Sequence, residues 1–182
     1  MLVLVISSCK SKKKEDPYAN LEGHYFSINQ YALDQWNTFA HSPFTIVKTV
    51  KVNKGKTDSS YTNSDSLDWS PIFKVFAETD ISDRKYLGKY KFSQFDDNQD
   101  GTHNFFYEAL EEDLFTQKLL ITIDAYNSRV KGIYIETSKK ISLGEYTQKL
   151  YYKPMKTIQV QTDNRPFVGD NKFTIVQYDF ML

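Results

Sequence analysis

The sequence predicts an α+β domain, with one or two short N-terminal helices packed on a curved antiparallel β-meander of about seven to eight strands. Three observations carry the prediction. Aromatic residues make up 15% of the chain, with 13 Tyr and 13 Phe against 7 Gly, and aromatic side chains suit the pleated surface of a sheet. Apolar residues at helical spacing are confined to the first half. From Lys89 onward, turn signals recur at near-regular intervals, as in a meander.

The first helix opens at Ser27-Ile28-Asn29-Gln30, a capping box in which Ser27 caps and Gln30 reaches back. Ile28, Ala32, Trp36, Phe39 and Ala40 then share one face. His41-Ser42-Pro43 ends it, because the residue before a proline is pushed out of the α region. Phe44–Val52 reads as a strand, apolar at Phe44, Ile46, Val50 and Val52 and interrupted by Lys48. The Ser-, Thr- and Asp-rich stretch Lys54–Asp68 reads as a mobile loop. A second short helix is expected at Pro71, with Ser70 as cap and Ile72, Val75 and Phe76 inward.

Strands are then expected over Lys89–Phe95, His103–Leu110, Phe115–Ala125, Arg129–Thr137, Tyr146–Tyr152, Lys156–Thr162 and Lys172–Phe180. Asp100-Gly101, Tyr126-Asn127-Ser128 and Gly169-Asp170-Asn171 separate them, and Pro154 marks a bend or an edge. Several late strands are partly apolar on both faces, which fits a sheet covered on one side and partly enclosed on the other.

The N-terminal run Met1-Leu2-Val3-Leu4-Val5-Ile6-Ser7-Ser8-Cys9 is apolar, closes on two small residues and a lone cysteine, and turns basic at Lys10. It resembles the lipobox of a bacterial lipoprotein, carried by Ile6-Ser7-Ser8-Cys9. The resemblance implies cleavage before Cys9, lipidation of that cysteine and an outer-membrane anchor, since two or three acyl chains hold a protein stably where one is marginal. Residues 1–8 then form a truncated signal peptide, lacking the usual basic n-region. The run is too short to cross a bilayer. Residues 9–22 form the lipidated cysteine and a charged tether, and 23–182 a single globular α+β domain. Lys14-Glu15-Asp16 in that tether resembles the export signal of surface lipoproteins in Bacteroidota. Cell-surface and periplasm-facing positions both remain open.

Lys+Arg and Asp+Glu both number 23, so net charge is zero and no overall basic field exists to hold nucleic acid. With Cys9 as the one cysteine, an internal disulfide and a cysteine-based metal site are excluded. Asp96, Asn98, Asp100 and Gly101 match the start of an EF-hand calcium loop, with oxygen ligands at alternate residues and a glycine at the turn. Tyr107 stands where the twelfth-position glutamate belongs, Glu108 comes one place late, and the flanks look like strands. A polar hairpin with an Asp-Gly turn explains the same residues. Asp96, Asn98 and Asp100 are therefore candidate Ca²⁺ ligands without a complete set, and no other cofactor is implied.

No nucleophile elbow, zinc-protease helix or phosphate-binding glycine loop occurs, and His24, His41 and His103 have no metal-ligand rhythm. The sequence reads best as a lipid-anchored, non-catalytic binding or interaction module whose partner is a protein or a small apolar ligand. Aromatic side chains are the expected contact residues, because Tyr and Trp offer large area with few rotors and a polar tip. The candidates are Trp69 beside the polar loop, Trp36 and Phe39 on the first helix, and Tyr134 and Tyr151 on the meander. Helices on a curved sheet also resemble the architecture of LolA/LolB-type periplasmic carriers, which implies a dry apolar cavity between the layers. An unrecognised hydrolase is the third reading.

Overall fold

The computed structural model describes residues 25–39 and 43–181. Cys9, the signal-peptide and tether segments, His24 and His41 lie outside them. Helix α1 (Ile28–Phe39) is followed by β1 (Thr45–Val52), β2 (Asp58–Asn63), α2 (Trp69–Ala77), β3 (Tyr90–Asp97), β4 (Thr102–Ala109), β5 (Thr116–Asp124), β6 (Val130–Ile141), β7 (Gly144–Lys153), β8 (Thr157–Pro166) and β9 (Lys172–Met181). The nine strands form one antiparallel sheet in the order β2-β1-β9-β8-β7-β6-β5-β4-β3.

This corrects the expected class. The chain is 53% strand and 17% helical, so it is a mostly β protein built on one large open sheet, not an α+β meander of seven or eight strands. The ninth strand is β2, inside the stretch read as a loop. Its sequence Asp-Ser-Ser-Tyr-Thr-Asn has no apolar alternation, because β2 is an edge strand with almost every side chain in water. Only its pairing with β1 identifies it. The later strands fall within a few residues of expectation, with β6 extended to Ile141.

Strands β3 to β9 follow one another as a meander, and β1 then lies against β9, with Thr45 opposite Met181 and Val52 opposite Thr174. The chain therefore crosses from one sheet edge to the other between β2 and β3. Helix α2 lies in that crossing. Asp68, not Ser70, is its cap, accepting from Ser70 N at 3.0 Å, and Pro71 sits inside the first turn where no intrahelical donor is needed. At α1, Ser27 Oγ accepts from Gln30 N at 3.2 Å as expected, but Gln30 bonds forward to Asp34. Asp80 supplies the other half of the cap: its Oδ2 accepts from Ser27 Oγ at 2.7 Å and from Asn29 N at 2.8 Å.

Both helices cover the same sheet face. Alternate residues of the strands supply the core there: Ile46, Tyr90, Tyr107, Leu119, Ile121, Ile133, Ile135, Leu150, Tyr152, Ile158, Tyr178 and Phe180. Tyr152 is central, with Tyr31 of α1 and Phe73 and Phe76 of α2 at ring separations of 6.0 to 6.2 Å. Burial raises the pKa of its phenol, and its hydroxyl donates to Gln35 Oε1. Beyond α2, Thr116 Oγ1 donates to Thr79 O and Tyr90 OH to Thr116 O, both at 2.9 Å, tying the crossing segment to the sheet. The opposite face carries no helix among the described residues.

Candidate functional site

On the open face, residues of the other parity line up across the strands. Phe95, Asn104, Thr122 and Gly132 form one row, with Lys153 just beyond the first β6–β7 pair Ile133–Tyr152, and Ser93, Phe106, Leu120, Tyr134 and Tyr151 form the next. Gly132 has no side chain to fill its place in the first row. A Cβ built there would meet nothing closer than Tyr152 O at 3.7 Å, so the vacancy opens outward. The result is a trough of about 510 Å³, lined by Phe95, Asp97, Asp100, Thr102, Asn104, Leu120, Thr122, Lys131, Tyr134, Tyr151 and Lys153 around Gly132.

Its floor is polar and ordered. Asn104, buried to 6% exposure, accepts from Thr122 Oγ1 at 2.8 Å and donates to Thr102 Oγ1 at 3.2 Å. A buried amide is costly unless bonded, and this chain of three side chains satisfies it. At one lip a β-bulge inserts Lys131 between the pairs Thr122–Gly132 and Ile123–Val130. Bulges re-aim side chains, and here Lys131 Nζ donates to Asp100 O at 3.1 Å and lies 3.9 Å from Asp124 Oδ2.

Tyr134 and Tyr151 stand directly opposite each other on β6 and β7, as neighbours in the trough wall. Tyr134 OH donates to Glu136 Oε1 at 2.6 Å. Burial, with the bond to Glu136, raises the Tyr134 pKa. Burial pushes the Glu136 carboxyl up, but the Tyr134 hydroxyl and the ammonium groups of Lys118 and Lys149 outweigh it and hold the carboxyl below its ordinary value. Those ammonium groups lie at 3.5 and 3.8 Å. They belong to a cross-strand row of alternating sign, Lys91, Glu108, Lys118, Glu136 and Lys149, that borders the trough wall. The lining thus combines aromatic rings, a bonded amide, hydroxyls and both signs of charge, a surface suited to a polar ligand with a flat apolar face.

The other sequence candidates fall elsewhere. Trp69 is core, a correction to its expected exposure: it is 2% exposed, stacked 5.8 Å from Phe73 and 5.9 Å from Phe180, with Nε1 donating to Ser64 O at 2.8 Å. The polar segment beside it is β2 and its exit turn, which dock on β1 and close over the indole. Trp36 is 39% exposed on α1, on the helix-bearing side and away from Tyr134 and Tyr151. The Phe39 side chain lies outside the described residues. Asp96 Oδ1 is 2.7 Å from His103 Nδ1 across the β3–β4 hairpin, and Asp97, not Asp96, accepts the turn amides of Gln99 and Asp100. Tyr107, at the twelfth position of the calcium pattern, is 1% exposed in the core. Among the described residues, no group of three or more His, Cys, Asp and Glu side chains is arranged to hold a metal ion.

Between helices and sheet, Ile28, Tyr31, Ala32, Phe73, Phe76, Ile133 and Tyr152 leave only about 10 Å³, room for one water at most. A carrier needs space for an acyl chain there. A second groove of about 650 Å³ is lined by Glu78, Glu112, Asp113, Phe115, Ser138, Lys139 and Lys140. Its charges are strongly exposed, as at the Lys140–Glu112 pair, and it has no ordered polar floor like that around Asn104. No described helix is long and apolar enough to cross a membrane.

Sequence reasoning missed Gly132, Lys131, Asn104, Thr122 and Lys153. Gly132 had a usable signal, since a glycine inside a strand marks a bulge or a close approach. Comparison with known families, curated proteins and solved structures gives no match.

Proposed function

We propose that this chain is a lipid-anchored envelope lipoprotein that acts as a non-catalytic binding module, with the trough around Gly132 as its ligand site. The carrying observation is the trough itself: two opposed tyrosines, a bonded buried amide and a vacancy kept open by a glycine, on a sheet face that no helix among the described residues covers. The anchor rests on the lipobox-like Ile6-Ser7-Ser8-Cys9 and the basic residues after it. The reading favours a hydrated ligand over an apolar one, because Asp97, Asp100, Lys131 and Lys153 ring the opening.

Two variants test the two halves. Cys9→Ala should leave an uncleaved or soluble form, whereas an unchanged, membrane-bound product would refute the anchor. Gly132→Leu puts a side chain into the trough, its Cβ meeting nothing closer than Tyr152 O at 3.7 Å. It should keep the melting temperature and lose what the native protein captures from envelope extracts. Unaltered capture would remove the trough from the function.

A further inference from the structure

We infer that the apolar tip of the β6–β7 and β8–β9 loops seats the domain on a lipid bilayer. Leu143, Phe167 and Val168 are 75%, 79% and 90% exposed, with Ile141 at 39% behind them. Phe167 N donates to Leu143 O at 2.8 Å, so the two loops form one unit. Contiguous apolar side chains held in water mark an interaction surface.

The tip projects. The last β5–β6 pair is Thr116–Thr137, yet β6 and β7 stay paired to Ile141–Gly144, and β7 and β8 to Gly144–Pro166. Four further residues carry the hairpin about 14 Å beyond that last β5–β6 pair, flanked at its base by the segment before β5, where Phe115 O accepts from Ser138 N at 2.9 Å and Glu112 lies 3.8 Å from Lys140 Nζ. Gly144 makes the close approach possible, because a Cβ there would lie 2.2 Å from Arg165 O. The tip is thus a braced ledge.

Its position points to lipid as the occupant. Tyr25, where the described chain begins, packs on Tyr90 and Tyr107 at the same end of the strands as the tip. Tyr90 lies on β3 and the tip on β6 to β8, so four strand spacings, about 19 Å, separate β3 from β7. The segment from Cys9 to Tyr25 spans at most about 55 Å when extended, enough for the anchor and the tip to reach one plane. Lys139 and Lys140 lie beside the tip on β6, Lys140 in a strongly exposed pair with Glu112 at 3.8 Å that a lipid phosphate can displace. The trough, at the other end of the strands beside the β3–β4 turn, then faces away from the membrane. The inference rests on the proposed anchor for the identity of the membrane, but not for the affinity of the tip.

The test uses the full chain as Cys9→Ser, which cannot take the thioether-linked lipid, and flotation with vesicles of phosphatidylethanolamine and phosphatidylglycerol. Leu143→Ser/Phe167→Ser/Val168→Ser should lower the floated fraction at least about tenfold at unchanged melting temperature. Tyr61→Ser, which removes an equally exposed side chain from β2, should change nothing. Residues 1–8 are common to all three proteins, so only the differences count. Phe167→Trp, a second variant that keeps the tip apolar, should shift its emission to the blue on adding vesicles. Equal flotation of the tip variant, an equal loss in Tyr61→Ser, or a tip-dependent dimer without vesicle binding would overturn the inference. Acylated Cys9 with tip-independent flotation sinks this inference alone, and tip-dependent flotation with unacylated native Cys9 sinks only the anchor.

Discussion

Asp80, three residues beyond the end of α2, caps α1: its carboxylate accepts from the Ser27 hydroxyl at 2.7 Å while its other oxygen accepts from Ser82 N at 2.7 Å. One side chain thus closes a helix start, fixes the loop that follows α2, and joins the two helices. Asp80→Ala should cost about 1–2 kcal/mol, and Asp80→Asn distinctly less, by chemical denaturation. Equal stability in all three proteins would show the cap to be idle.

Trp69→Ala removes an indole stacked on two aromatic rings, together with the hydrogen bond it gives to Ser64 O. The expected loss is about 3–5 kcal/mol, large enough for the melting temperature to fall by many degrees. A variant that melts like the native chain would return Trp69 to the surface.

The Glu136 carboxyl is held below its ordinary value of 4.5 in the fold. A depressed folded pKa stabilises above the unfolded value, and that stability is lost as pH falls through the folded one. Glu136→Gln should therefore lie furthest below the native melting temperature above pH 4.5, with the gap closing as the pH drops further. Melting curves taken across the acid range decide this, and a gap that widens in acid contradicts the assignment.

Gly144→Ala forces a Cβ against the Arg165 carbonyl at a φ of +155°. It should cost about 1–3 kcal/mol and raise amide exchange first in Ile141–Glu145 and Arg165–Phe167, before the core strands. Uniform protection in that hairpin would show that the strands separate without penalty.

Several elements were legible locally because local chemistry decides them. The Ile28, Ala32 spacing and Ser27 cap specify α1, and alternation in Leu119–Ile123 and Phe173–Phe180 specifies β5 and β9. The turn at Asp100-Gly101 follows from a glycine at φ +60°, and that at Tyr126-Asn127-Ser128 from Ser128 at +57°. Tyr134 and Tyr151 were identifiable as residue types, and register then set them side by side.

What the sequence by itself determined is the aromatic-rich composition, most strand positions, an apolar run closing on Ser7-Ser8-Cys9 and a net charge of zero. What only the tertiary structure decided depends on partners distant along the chain. Strand β2 exists because β1 offers it an edge, Trp69 is buried because β9 brings Phe180 over it, and Asp80 replaces Gln30 in the cap of α1. The trough is the clearest case. Its four-strand row around Gly132 is assembled by backbone register, and a missing side chain becomes a site only when the neighbouring strands supply its walls.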